Sequence, residues 1–392
     1  MFPDRYEWEK GLIFIFILIK GEFFLEHNRK ILTIITFFLI SFLFPTLINS
    51  CSKDLVVCNW IDKVHIVRAG DVTASAVSLG DDFYVTNKHV VEDNLSIHLM
   101  KSDGSFVVAY VLPNGHKSDL VILSLNESPE TLVNHLIPPR NMDDLHGIAY
   151  GVGRGKVRIF PRGNLISLPP ENMKQARIHS TIRNLPGISG GALINSSGDL
   201  VGILASGSGL YNESVPVDIL NEVIAESLVS KKEFLDRGKA FKLCTQLLSD
   251  ITKLDQQPSA LLLSEVKYNC DKANNKTLFD MAGQVFGTLG SFDESITFLE
   301  KSVELDPNSP TSLLSLAIAL QFKRSYEKQV KVLDHLLTFV QDDPLVLRMS
   351  IQAAAFSKDQ NFAKKSLEIL RKNNPNAYHQ AFEFLENHFE SL

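Results

Sequence analysis

Between residues 60 and 215 the apolar side chains come in short runs: VHIV, ASAVSL, FYVTN, LVILSL, ALINS and LVGILAS. Gly, Asn and Asp punctuate them, as at Gly80-Asp81-Asp82 and Ser197-Gly198-Asp199. Short β-branched runs separated by turn signals predict an all-β barrel or sandwich. From Asp218 the period becomes helical. In DILNEVIAESLV, Ile219, Val223, Ile224 and Leu228 share one helical face. Helical patterning then continues to the C-terminus, so the boundary between halves lies near 220–240.

The helical half repeats itself. Phe292 opens an amphipathic segment, Tyr326 opens another 34 residues later, and Phe362 a third after 36 more. Pro307, Pro344 and Pro375 follow these segments. A period near 34 built from helix pairs resembles the tetratricopeptide repeat, or TPR. Gly283, Phe286, Gly290, Phe292, Leu299 and Pro307 match its pattern in the first copy. The later copies are degenerate, with Gln329 and Lys365 where a small residue is expected. A generic helical bundle is the competing reading. Residues 235–275 read as a further helix pair. The resemblance implies a groove that takes a protein partner.

The N-terminus is apolar in a different way. Nine of the 25 Phe lie in the first 50 residues, and no charge occurs between Lys30 and Lys53. The strongly apolar part, Ile31 to Phe44, is 14 residues long. That is short for a bilayer span of about 20 residues but suits a signal-peptide core behind the basic His27-Asn28-Arg29-Lys30. A retained membrane anchor that includes Leu12 to Ile19 is the alternative. An apolar run before the basic stretch also raises the possibility of a start near Leu25. Either way the rest of the chain is placed outside the cytoplasm. Ile48-Asn49-Ser50-Cys51 resembles a bacterial lipobox, which makes Cys51 a lipidation candidate, although Asn49 departs from the pattern. Two acyl chains would anchor the chain to a membrane.

Composition narrows the partners. Thirty-nine basic and 45 acidic residues give a net charge of −6, which offers no basic face for nucleic acid. Four cysteines in 392 residues exclude a fold built on disulfides. Cys244 and Cys270 both lie in the helical half and could pair; Cys58 would lack a partner if Cys51 were lipidated. No His or Cys pair has metal-ligand spacing, so neither metal nor cofactor is expected.

Chemistry concentrates in the β half. Val85-Thr86-Asn87-Lys88-His89 delivers a His at the end of a strand, and Ser118-Asp119-Leu120-Val121-Ile122 puts an Asp at the mouth of another. Leu185-Pro186-Gly187-Ile188-Ser189-Gly190-Gly191 holds a Ser in a Gly-rich turn. A hydrolytic Ser needs a base, and a His suits that task near neutral pH. The His needs a carboxylate to fix its tautomer. The reaction needs backbone N–H groups at the developing oxyanion.

These motifs resemble those of trypsin-like serine proteases, most closely the HtrA/Deg branch. YVTNKHVV resembles the His motif, SDLVILSL the Asp motif, and LPGISGGALINSSGDLVGI the Ser motif with the strand lining the substrate cleft. The resemblance covers about residues 60–230, and triad separations of 30 and 70 residues suit that branch. It implies His89 as general base, Asp119 as its orienter and Ser189 as nucleophile. It also implies an oxyanion hole from the N–H groups of Gly187 and Ser189. Three features depart from the family. Ile188 replaces the usual Asn, Thr73-Ala74-Ser75-Ala76 replaces a Gly-rich strand, and helical repeats stand where a PDZ module would follow. An α/β-hydrolase elbow also fits Gly187-Ile188-Ser189-Gly190-Gly191. It fails because a β-hairpin, not a helix, follows Ser189, and the later His residues lie in the repeats.

The fold expected is therefore a trypsin-like double β-barrel followed by a helical TPR-like domain. Residues 1–50 are the export signal or anchor and 51–59 a tether. Residues 60–218 are the protease, 219–275 connecting helices and 276–392 the repeats. The function expected is that of an exported serine endopeptidase of the bacterial cell envelope acting on peptides or proteins, with the repeats recruiting substrate or partner. The alternative is a catalytically inactive scaffold for protein–protein interaction. Leu204, Ala205 and Ser206, with Arg183 to Pro186, are expected to wall the primary pocket. They contain no Asp, so a small or medium apolar residue before the cut is favoured. With no Pro/Gly-rich linker after Asp218, the repeats are expected to pack near the protease.

Overall fold

Among the strands, Ser96–Met100 alternates buried and exposed positions, whereas the run Leu120–Ser124 is buried throughout. The computed structural model describes residues 56–389 except 102, 128, 130–141, 152–154, 184, 209–210, 228 and 255–256. Residues 1–50, read above as export signal or anchor, together with Cys51, Asn184 of the expected pocket wall and Leu228, lie outside the described residues. A short 3₁₀ helix, Val56–Lys63, leads into β1 (Val64–Ala69), β2 (Val72–Gly80) and β3 (Phe83–Asn87). The one-turn helix α1 (Lys88–Val91) follows directly, then β4 (Ser96–Met100), β5 (Phe106–Leu112) and β6 (Leu120–Ser124). These six strands close into an antiparallel barrel in the order β1-β2-β3-β6-β5-β4.

The second β unit runs through β7 (His146–Tyr150), β8 (Val157–Ile159), β9 (Leu165–Ser167), β10 (Ile178–Ser180), β11 (Ala192–Ile194), β12 (Leu200–Ser208) and β13 (Tyr211–Pro216). It forms a seven-stranded sheet, β8-β7-β11-β12-β13-β10-β9. Gly163, between β8 and β9, bridges to Leu145 just before β7. That bridge brings the sheet's ends toward each other without the full closure of the first unit. Each quoted run supplies a strand, with Leu125, Asn195 and Ser196 falling just beyond theirs. The three-residue strands VRI, LIS and IHS were invisible in the sequence because so short a run carries no measurable period.

One buried cluster joins the two β units. It combines Val77, Val85 and Ile122 of the barrel with Ile148, Ala192 and Ile203 of the sheet. Leu220, Val223 and Ile224 belong to the same cluster and come from α2 (Leu220–Ala225), which follows a 3₁₀ turn at Val217–Ile219. The core of the β half thus continues past residue 218.

Eleven helices are described in all. After α2 come α3 (Lys231–Ile251) and α4 (Ala260–Ala273), joined by the Cys244–Cys270 disulfide. Cys58 is also disulfide-bonded. The rest are α5 (Lys276–Thr288), α6 (Phe292–Leu305), α7 (Pro310–Phe322), α8 (Tyr326–Leu336), α9 (Pro344–Ser357), α10 (Gln360–Asn373) and α11 (Pro375–Glu386). Each is packed chiefly against its chain neighbours, and α6, α8 and α10 carry the recurrent aromatics. Buried Ser295 bonds Gly283 O at 2.7 Å, and buried Gln329 bonds Ala317 O at 3.2 Å. Gln329 thus makes the inter-helix contact of a small residue by hydrogen bonding instead of close packing. Among the described residues no helix is long and apolar enough to cross a membrane.

The helical half is seated on the β half. Phe234 of α3 is buried with Val90 and Val91 in the barrel core. Four residues on, Gly238 meets the chain just after α1, where a Cβ would lie 2.3 Å from Glu92 O. Between α6 and α7, Asn308 O accepts from Ser167 at 2.7 Å, and Asn308 donates to Leu168 O at 2.9 Å. His179 and Asp306, both fully buried, pair at 2.9 Å. Gly238→Ala is expected to push α3 off the barrel and to lower stability by about 1–3 kcal/mol, read as an earlier denaturant midpoint. An unchanged midpoint would contradict this packing.

Candidate active site

β3 ends at Asn87 because the chain turns there into α1, and this turn presents His89 at the barrel's rim. Lys88 N–H donates to Asp119 O at 3.1 Å, and Asn87 Nδ2 donates to the same carbonyl at 3.1 Å. These bonds fix the start of β6 beside α1. The Asp119 carboxylate is then held twice by one residue. His89 Nδ1 pairs with Oδ2 at 2.7 Å, and the His89 backbone N–H donates to Oδ1 at 3.1 Å. Asp119 is almost fully buried while His89 keeps 20% of its side-chain exposure. Burial pushes the Asp119 carboxyl up, but the His89 ring and Arg177 outweigh it and hold it below its ordinary value. Both act by favouring the charged form.

Ser189 comes from the other β unit. The turn before it closes with Ile188 N–H donating to Leu185 O at 3.3 Å. The barrel grips this loop through Ser75, in the segment where the sequence lacked its expected glycines. Ser75 N–H donates to Ser189 O at 2.8 Å, and Ser75 Oγ donates to Gly187 O at 3.1 Å. Thr86 donates to Ser75 O at 2.8 Å, which carries the contact to β3, three residues before His89. Gly190, at φ +81, passes so close that a Cβ would lie 1.9 Å from Ser75 O. No other residue fits there. Among the described residues no hydrogen bond takes the N–H of Gly187 or Ser189.

The three sequence-predicted triad residues are thus not all joined. His89 and Asp119 are bonded. Ser189 Oγ instead donates to Ala205 O at 2.7 Å, and none of the described hydrogen bonds links it to His89. Leu204 and Ala205 are buried in β12, and Ser206 is partly exposed beside them.

A row of buried charges that sequence reasoning missed runs from Asp119 into the helical half. Arg177, just before β10, places Nη2 3.4 Å from Asp119 Oδ2 and donates through Nη1 to Ser206 Oγ at 3.1 Å. Nη1 also lies 3.8 Å from Glu213 Oε2. Glu213, opposite Ser206 in the β12–β13 register, receives the Ser206 hydroxyl at 3.0 Å. Its other oxygen accepts from Lys276 Nζ of α5 at 2.5 Å, and Lys276 also pairs with Asp280 at 2.9 Å. Burial raises the Glu213 carboxyl, but Lys276 and Arg177 overcome this and hold it far below normal. Glu213 therefore stands beside β12, one strand over from Leu204, Ala205 and Ser206. In NESVP it reads only as a polar strand position.

The helical half also covers His89. Phe241 of α3 stacks over its ring at a centroid distance of 6.2 Å. His89, Lys88, Asn114, His116, Phe241 and Asn275 line a cavity of about 50 Å³. Beside His89, Lys88 donates to His116 O; burial first, then Arg237, pushes its ammonium down to about 8. Among the described residues no group of three or more His, Cys, Asp or Glu could hold a metal ion.

The trypsin-like peptidase domain model matches residues 74–203. A protein named serine protease HtrA-like, from Staphylococcus aureus, is 27% identical over 267 residues, covering 61% of this chain. This chain spans only 33% of that relative's length. The serine endoprotease DegS of Haemophilus influenzae is 20% identical over 247 residues, 59% of this chain and 69% of its own length. Among solved structures, the serine endoprotease from Yersinia pestis is 21% identical with a TM-score of 0.37, covering 45% of this chain and 66% of its own.

Asp119 and Glu213 share one pH consequence. Each carboxyl lies lower in the folded chain than its ordinary value of 3.8 or 4.5. Their contribution to stability is complete above those values and is lost as pH falls through the folded ones. Denaturant midpoints should therefore be insensitive to these groups above about pH 5 and drop in stronger acid. Glu213→Gln should flatten the acid limb, and an unaltered limb would contradict the assignment. The β half contains a trypsin-like peptidase domain, with serine proteases of the HtrA and DegS kind as its relatives.

Proposed function

We propose that the chain is a serine endopeptidase in which His89, Asp119 and Ser189 act as a triad. The observation that carries this reading is the His89–Asp119 pair, bonded through both ring and backbone at 2.7 and 3.1 Å, on the same barrel whose Ser75 clamps the Ser189 loop. Asp119 holds Nδ1 protonated, which leaves Nε2 as the base. The Ser189 hydroxyl turns from Ala205 O toward His89 and attacks the scissile carbonyl carbon as its proton passes to Nε2. The N–H groups of Gly187 and Ser189 hold the carbonyl oxygen as it becomes an anion. Collapse expels the amine, which takes the proton from Nε2. Water then enters the same sequence and releases the acyl group.

A complete His–Asp–Ser set and relatives named as serine proteases support an enzyme over an inactive scaffold. The helical half, read as TPR-like repeats, serves protein recognition; its consecutive helix packing and recurrent aromatics support that role. The N-terminal apolar segment exports the chain to the cell envelope, and the disulfide between Cys244 and Cys270 accords with an oxidising compartment.

Ser189→Ala and His89→Ala should each lower peptide hydrolysis by at least ~10⁴-fold while the fold is retained. Full activity of folded Ser189→Ala would overturn the assignment. Activity of the wild-type chain should fall in acid, because a protonated imidazole cannot accept the serine proton. Activity that does not fall in acid would argue against His89 as base.

A further inference from the structure

Arg177 is only 2% exposed, a rare state for an arginine. Its two terminal nitrogens hold the guanidinium in place. Nη1 donates to Ser206 Oγ at 3.1 Å, and Nη2 donates to Asp119 Oδ2 at 3.4 Å. Nε is buried with no hydrogen-bond partner among the described residues. A buried N–H left unmade costs free energy, so packing alone does not account for an arginine here. Glu213 does not account for it either. That carboxylate already has the Lys276 cation at Oε1, and its Oε2 lies 3.8 Å from Nη1, farther than Asp119 lies from Nη2.

The residue that needs a cation is Asp119. A base must be uncharged before it can take a proton from serine. In the resting site His89 is therefore a neutral donor to Oδ2 and supplies no charge. A buried carboxylate in that state lacks a counter-ion unless another group provides one. Among the described residues, His89 and Arg177 are the two basic side chains within 4 Å of the Asp119 carboxylate. The other charges nearby are engaged elsewhere or stand farther off. Lys88 acts on Asp119 from a distance, with Nζ given to His116 O. Glu92, just after α1, acts on His89 but pairs with Lys242 of α3 at 3.6 Å. Across the small cavity beside the ring stand Lys117, His116, paired with Glu222 at 3.4 Å, and Arg237 of α3, paired with Glu233 at 2.6 Å. Phe241, the α3 residue over the ring, carries no charge. His89 and Arg177 thus draw on the same oxygen, Oδ2. An imidazolium at His89 would meet a carboxylate already partly neutralised, with a second positive charge close behind it, and both effects disfavour that protonated form. We infer that Arg177 is a positioning residue that keeps buried Asp119 charged and oriented while His89 is neutral, and that its charge extends the action of His89 as a base toward lower pH. This inference rests on the serine endopeptidase reading.

The test follows the rate at which a fluorophosphonate labels Ser189 in the full chain across pH. Labelling draws on the same base, so its rate falls in acid. Arg177→Gln keeps a hydrogen-bond donor and loses the charge. Its acid limb should move up by ~1 pH unit, which slows labelling on the steep part of the limb by ~10-fold. Arg177→Lys keeps the charge and should leave the limb near its wild-type position. Arg177→Gln with Glu213→Gln removes one charge of each sign and should shift the limb in the same direction, which serves if the single variant fails to fold by circular dichroism. An unmoved limb in a folded uncharged variant would overturn the inference, and a lower plateau with that unmoved limb would mark Arg177 as purely structural. An Arg177→Lys limb displaced by about one unit would overturn it as well, a result that needs neither uncharged variant. Wild-type protein labelled at Ser189 with no shift among the variants defeats this inference alone, whereas folded wild-type protein that is not labelled at all defeats the endopeptidase reading itself.

Discussion

The structure depends on how a row of buried charges is balanced. Asp119, Arg177, Glu213, Lys276 and Asp280 alternate in sign from the triad into α5. None could be buried alone, because removing one partner leaves an uncompensated ion in low dielectric. The row therefore ties three structures together: the barrel that supplies Asp119, the sheet that supplies Arg177 and Glu213, and the helical array that supplies Lys276. A second tie lies between the β units, where Ser75 holds both Ser189 O and Gly187 O. One clamp sets the Ser189 loop against the barrel, and the other sets the helical half against Glu213 and Ser206.

Much of the β half was legible in the sequence because its signals are local. His89 ends a β-branched run, Asp119 stands at the mouth of another, and the glycines around Ser189 announce a tight turn. Gly190 shows why that signal is physical: the turn passes so near Ser75 that no side chain fits. The helix pairs were legible from the recurrence of Phe292, Tyr326 and Phe362. The substitution at Ser75 looked like a loss of glycine, yet the structure makes it the residue that grips the Ser loop.

What was not legible is tertiary. Arg177, Glu213 and Lys276 are ordinary polar residues in their own segments, and 99 residues separate the first from the last. Only the β12–β13 register puts Glu213 opposite Ser206, and only the packing of α5 brings Lys276 to it. Phe234 and Phe241 read as one apolar side of a helix. The first is sunk into the barrel core, and the second lies over His89. The helical half was expected near the protease, but its closeness to the triad follows from these contacts and from no local pattern.

Whether Ser189 attacks as a nucleophile is decided by a crystal structure of the chain treated with a peptide boronic acid. A covalent bond from boron to Ser189 Oγ, with a boronate oxygen facing the N–H groups of Gly187 and Ser189, is the expected result. Boron attached elsewhere, or no adduct on the folded chain, would contradict the proposed triad.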